Sequence, residues 1–283
     1  MDASAPLDRS ERVLSAERAF ILALGGFSLG ISGAELVTHE RIPAPRFNYA
    51  VVGTVGPERQ AAFFERTLDH YFQRALRPVI LTRRPPPPHI DAGLRRFGFT
   101  LAPDPVVLLE AARPPGGIED SGAFQVQEVP PEELDRIGAF WGRPEERAEL
   151  VRSLEVLAHH PNPGESFVPL AAQRAGRDVA SGIVYSDGKT AGVHAVGTAA
   201  TDRGLGAASA IVRHALLHAF PDRVATVGML VRGPRPVVRL ASLGFEPVGE
   251  RAEFVLPPEV DLRLPAAGPP APPRWRPPRH RPQ

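Results

Sequence analysis

Residues 201–212 read TDRGLGAASAIV, with glycines at 204 and 206 where an amphipathic helix should begin. Glycine costs a helix about 1 kcal/mol relative to alanine, so its use here suggests a backbone that something must approach closely. The first turn of a helix carries N–H groups without intrahelical partners and the positive end of the helix dipole. Such an end holds a phosphate if no side chain blocks it. Gly204 and Gly206 remove the side chains, Ala207 and Ala208 keep them small, and Arg203 adds a cation at the mouth. The chemistry expected is a cradle for a pyrophosphate. A Walker A loop needs a lysine followed by Ser or Thr, and no such pair follows these glycines. A dinucleotide fingerprint would need glycine at 209, where Ser209 stands, and an acidic partner about 20 residues on. The plain alternative is a tight strand-to-helix turn that binds nothing.

The segment just upstream, Ala191–Thr198, holds one titratable side chain, His194. The ordinary pKa of histidine suits a base near neutrality. Strict alternation puts His194 on the face of Val196 and Thr198. Tyr185, on the strand before, is the second candidate. Both residues also read as packing side chains. The chain has no cysteine, which excludes disulfides, thiolate metal sites and a cysteine nucleophile. No metal site is expected.

These residues need elements to hold them. Apolar periodicity predicts helices at residues 10–24, with Ser10 as N-cap, and at 57–76, 90–96, 131–141, 144–159, 207–220 and 234–243. Strands are expected at 48–54, 78–82, 99–109, 167–173, 179–186, 191–198, 225–231 and 245–256. The apolar stretch from Ala19 to Ala34 carries four glycines and falls short of the 20 or so residues that span a membrane. It reads as a buried helix and turn. Acids at Asp2, Asp8 and Glu11 argue against a signal peptide. A soluble cytoplasmic protein is expected.

The 283 residues include 33 prolines, and the formal net charge of +1 gives no global attraction to nucleic acid or membrane. Lys189 is the single lysine among 33 basic residues, which suggests a GC-rich bacterial genome. Residues 112–122 read as a linker, and the Pro/Arg-rich tail from 259 to 283 as disordered. Its arginines are the only hint of a nucleic-acid partner, so none is expected.

Arg203-Gly204-Leu205-Gly206-Ala207-Ala208 follows the pattern R/Q-x-x-G-x-G/A, and so resembles the acyl-CoA loop of the GNAT acetyltransferase superfamily. The preceding Gly192–Thr198 looks like that superfamily's fourth strand. Val237–Gly249, with Leu243-Gly244-Phe245, looks like its closing helix and strand. The resemblance covers about 125 residues and implies a mixed α/β (α+β) fold with a largely antiparallel central sheet flanked by helices.

The first half echoes the second. Val52-Gly53-Thr54 recurs as Val196-Gly197-Thr198, 144 residues on, and Phe97-Gly98-Phe99 as Leu243-Gly244-Phe245, 146 residues on. A near-constant offset suggests duplication. In the first copy Gln60-Ala61-Ala62 replaces the glycine loop and bulky Phe63 follows. The reading is a degenerate GNAT-like domain over 1–111 and an acyl-CoA-binding GNAT domain over 123–258.

The resemblance implies acetyl-CoA, or another acyl-CoA, as co-substrate, with an amine acceptor attacking directly. Its pyrophosphate would rest on residues 204–208 and its pantetheine arm along Val196, Gly197 and Thr198. The superfamily's usual tyrosine acid is replaced by Leu240, and Ala191–Thr198 holds no glutamate base. A catalytically inactive acyl-CoA sensor or scaffold is therefore the competing reading. A homodimer is compatible with the sequence.

Overall fold

The computed structural model describes residues 8–112, 123–141, 144–219 and 226–257. The Pro/Arg tail and all of the expected linker but Ala112 lie outside them. Helix α1 (Arg9–Ala23) is capped by Asp8, whose carboxylate accepts from the Ser10 amide at 2.9 Å. Ser10 is therefore not the cap. Its hydroxyl is free to donate to the Val248 carbonyl at 2.7 Å, which ties the start of the chain to its end.

The stretch to residue 34 is more than a helix and turn. After α1 stops, Phe27–Ile31 (β1) and Ala34–Thr38 (β2) pair as an antiparallel hairpin. The segment FSLGI is too short to show alternation clearly, and β1 lies exposed at the sheet edge. Then follow β3 (Tyr49–Val52), α2 (Gln60–Phe72), β4 (Val79–Arg83), α3 (Pro88–Arg96), β5 (Thr100–Leu101) and β6 (Val106–Ala111). The second half contains β7 (Gln125–Glu128), α4 (Asp135–Gly138), α5 (Pro144–His159), β8 (Ser166–Arg174), β9 (Arg177–Ser186) and β10 (Ala191–Thr198). It closes with α6 (Ala207–Ala219), β11 (Val227–Arg232), α7 (Pro234–Ala241) and β12 (Glu246–Val255).

All twelve strands form one sheet, in the order β1-β2-β3-β4-β12-β6-β11-β10-β9-β8-β7, with β5 also on β12. Pairing is antiparallel except at β3/β4 and β10/β11. The fold is thus the mixed, largely antiparallel arrangement expected. The order at its centre is unexpected. Each half ends in a strand that follows its Phe-Gly-Phe or Leu-Gly-Phe turn, and each such strand sits beside the other half. β12 pairs with β4 of the first half, and β6 pairs with β11 of the second. The two exchanged strands also pair with each other.

The internal echo has a physical counterpart in the helix ends. In α3 the Phe99 amide donates to Leu94 O and the Gly98 amide to Arg95 O. In α7 the Phe245 amide donates to Leu240 O and the Gly244 amide to Ala241 O. This is the same paired-bond helix stop, with a glycine in the left-handed conformation at Gly98 and Gly244.

Helices cover both faces. On one face α6 packs over β8–β11, and α2 and α3 over the first-half strands. On the other, α1 lies across the centre of the sheet beside α4 and α5, burying Val13, Phe20 and Ile21. Gly228 of β11 permits this close approach, because a Cβ there would stand 3.2 Å from the Val13 backbone.

Glu110 of β6 is held under α1 by Arg9 (2.6 Å) and Arg12 (2.8 Å). Burial would raise its pKa, but the hydrogen bonds and charges of the two arginines outweigh that and hold it below the usual glutamate range. A depressed carboxylate stabilises the fold above its unfolded pKa, and that contribution is lost as pH falls through the folded value. Stability should therefore drop below about pH 4.5. Thermal melts of Glu110→Gln should show a smaller loss between pH 5 and pH 3 than the wild type, and equal losses would assign the acid limb elsewhere.

Candidate functional site

β10 and β11 begin as parallel neighbours but pair only at Ala191 and Gly192. Beyond that point they diverge, so residues 193–198 have no strand partner on that edge. β10 carries a bulge between His194 and Gly197, where Ala195 adopts φ +60°. Trp141, at the end of the α4 segment, donates from Nε1 to the Ala195 carbonyl at 2.7 Å and braces the bulge.

The bulge corrects the expectation about His194. Alternation alone would place it with Val196, but the extra residue shifts the phase by one. Val193 and Val196 pack beneath α6, whereas His194 points to the opposite face, under α1. There its ring stacks on Phe20 (4.3 Å, 12°), and Nδ1 lies 2.9 Å from Glu17 Oε2. His194 is 5% exposed and its Nε2 is buried without a partner. The tautomer with the proton on Nδ1 leaves only a lone pair there, which costs less than a buried N–H. Tyr185 lies on the same face, buried, with its ring 5.8 Å from Phe20. Burial, and then the Glu165 carboxylate, pushes its phenol up.

Past β10 the chain makes a tight turn over Ala200–Asp202. Asp202 is buried and anchors the turn: Arg177 lies 3.0 Å away and the Thr201 hydroxyl donates at 2.7 Å. The chain then passes through Gly204 (φ +82°) and Gly206 (φ +101°) into α6. A Cβ on Gly204 would meet nothing within 4 Å, and one on Gly206 only Phe124 at 3.9 Å. The glycines thus give the loop its left-handed turns while the space above it stays open. Among the described residues, the amides of Gly206, Ala207 and Ala208 have no acceptor. Open space, unpartnered amides and the positive end of a 13-residue helix together suit an anion. Residues 196–198 lead directly into this loop, so the expected cradle and the end of β10 are continuous. Arg203 is exposed at its side, and Leu205 is half exposed.

The corresponding place in the first half is filled. At the start of α2, Gln60 Nε2 donates to the His89 carbonyl, and His89 Nε2 in turn lies 2.8 Å from Val55 O. Gln60 and Phe64 crowd Gly93 of α3 so closely that any side chain there would collide.

A second set of polar groups surrounds the bulge from the α1 face, and sequence reasoning missed it. Glu17 of α1 is 21% exposed at its side chain. Arg46 places its guanidinium 3.4 Å over the Trp141 ring. The residue as a whole is exposed, yet this group is desolvated against the ring. That burial lowers its pKa to about 10, with Glu17 and Glu146 opposing and Arg232 assisting. It remains a cation at neutral pH. Arg232, at the end of β11, pairs with buried Glu253 at 2.6 Å. Between Arg46, Tyr49 and Arg232 lies a cavity of about 60 Å³. Glu17 and Arg46 come from the first half and His194 and Trp141 from the second, so no local motif could reveal the set.

No protein-family profile matches the chain, and no curated protein sequence matches it. Solved structures do. A GCN5-related N-acetyltransferase from Kribbella flavida matches with a TM-score of 0.62 at 17% identity, covering 89% of this chain and 97% of that one. One from Sphaerobacter thermophilus matches with a TM-score of 0.59 at 14% identity, covering 91% and 96%. A tandem GNAT protein from the clavulanic acid biosynthesis pathway matches with a TM-score of 0.51 at 15% identity, covering 78% and 77%. Spanning both halves of the chain, these likenesses establish that it has the fold of the GCN5-related N-acetyltransferases.

Proposed function

We propose that the chain is an acyl-CoA-dependent N-acyltransferase, with acetyl-CoA as the simplest donor. The observation that carries this reading is the opening between β10 and β11 beside the unpartnered amides of α6. Within the loop 204–208, the amides of Gly206, Ala207 and Ala208 hold the pyrophosphate, and Arg203 adds a charge at the rim. The pantetheine arm runs along the free edge of β10 at Val196, Gly197 and Thr198, pairing as an added strand would. A β10 amide near the bulge polarises the thioester carbonyl, stabilising the charge that develops on its oxygen. Positioning of the acceptor supplies much of the remaining rate. The plugged first half binds no CoA and serves as scaffold and as part of the acceptor face. The domain limits at 1–111 and 123–258 belong to this proposal, with the qualification that β6 and β12 are exchanged.

Calorimetric titration with acetyl-CoA, and separately with CoA, tests the reading. One site per chain is expected, with a dissociation constant of about 1 μM–1 mM, the usual range of KM. Absence of heat with both ligands would sink it. Thiol release on addition of amines would then separate a catalyst from a non-catalytic binder.

A further inference from the structure

We infer that the acceptor site is built by both halves, with Glu17 as the group that deprotonates the acceptor amine, His194 as its positioning residue, and Arg46 as the receptor for an anionic group on the same acceptor. The inference rests on the acyl-CoA reading above. A continuous set of contacts leads from the β10 bulge to the cavity. Ala195 O is bonded to Trp141, Trp141 carries the Arg46 guanidinium, and Arg46 lines the cavity. From the other side of the bulge, His194 holds Glu17 through Nδ1. One carboxylate oxygen of Glu17 is thus fixed by the histidine, leaving Oε1 for a ligand. Arg46 forms no salt bridge among the described residues, unlike Arg232, which Glu253 already neutralises. A cation outside any salt bridge among the described residues, on an aromatic platform and within the field of the Glu17 carboxylate, matches an amine that also bears a carboxylate. The cavity holds roughly four water-sized groups, enough for a small amino acid but not a protein segment.

The ammonium of the acceptor gives one proton to Glu17. The freed lone pair forms the N–C bond at the thioester carbonyl, and the C–S bond breaks with its electron pair leaving on sulfur. The nitrogen's second proton goes to the CoA thiolate, directly or through water, and Glu17 returns the first to solvent.

The test uses the full chain, saturating acetyl-CoA and matched acceptors: the free α-amino acids and their decarboxylated amines, read by thiol release. Turnover is expected with at least one amino acid and a preference of tenfold or more over its decarboxylated partner. That preference should shrink at least tenfold in Arg46→Gln. Glu17→Gln should lower kcat by about 100-fold or more, the range for a lost general base, with Glu17→Asp intermediate. His194→Gln, which keeps a donor towards Glu17, should retain more kcat than His194→Leu at equal melting temperature. Calorimetry with acetyl-CoA separates the two readings. If acetyl-CoA binds but no amino acid is turned over, or Glu17→Gln keeps its kcat, the acceptor assignment is wrong and the cofactor reading stands. If acetyl-CoA does not bind, both fall.

Discussion

Replacing Gly206 by tryptophan is expected to weaken acetyl-CoA binding by about 100-fold or more, close to 3 kcal/mol. The space above Gly206 is open, with Phe124 at 3.9 Å from a Cβ as its nearest neighbour. An indole there fills the volume that a pyrophosphate must enter to reach the first-turn amides of α6. The variant has a second effect to be subtracted. Gly206 sits at φ +101°, where any other residue is strained, at a cost of about 1–2 kcal/mol. Gly206→Ala carries the same strain but leaves the cradle nearly open. The two variants should therefore melt at similar temperatures, while only the tryptophan abolishes heat on titration. Equal affinities in both would show that the phosphate does not lie there.

The second large effect concerns folding. Expressed alone, residues 123–257 should show no cooperative thermal transition. β6 fills the slot beside β11, and its Val106, Val107, Leu108 and Leu109 are buried. Losing those four side chains removes roughly 6–12 kcal/mol of burial, at about 1.5–3 kcal/mol each. That equals the whole stability of an ordinary domain, about 5–15 kcal/mol. The loss of α1 also uncovers Gly228 and the stacked face of His194. Co-expression with residues 1–111 should restore a soluble complex that melts near the intact chain. A cooperative melt of 123–257 alone, within a few degrees of the full protein, would mean that β12 can move back beside β11 and that the exchange is dispensable.

The exchange also bears on the acceptor face. With β6 and β12 interleaved, α1 is held across the centre of the sheet by Ser10 on Val248 and by Arg9 and Arg12 on Glu110. Glu17 lies two turns further along that rigid helix. Its position against His194 therefore follows from the strand order and not from a mobile loop.

What the sequence by itself determined were features set by near neighbours. The glycine loop, the apolar spacing of α6 and the strand Ala191–Thr198 appear where expected, as does the helix Pro144–His159. So do the two helix stops at Gly98 and Gly244. Caps, periodicity and φ-permissive residues act over three or four positions, so a short window holds the information. The open glycine loop at the start of α6 was legible for that reason. Three things belonged to the tertiary structure. The choice of β12 or β6 as partner for β4 could not be read, because the backbone hydrogen bonds of an antiparallel ladder accept either strand whatever its side chains. The face of His194 could not be read, because one bulged residue at Ala195 reverses the alternation without changing composition. The grouping of Glu17, Arg46, Trp141 and His194 required two halves to pack, and their 177-residue span from Glu17 to His194 leaves no trace in local spacing. The backbone conformation of the glycine loop is local and was predictable, whereas the side chains around the bulge meet only because the two halves close one sheet together.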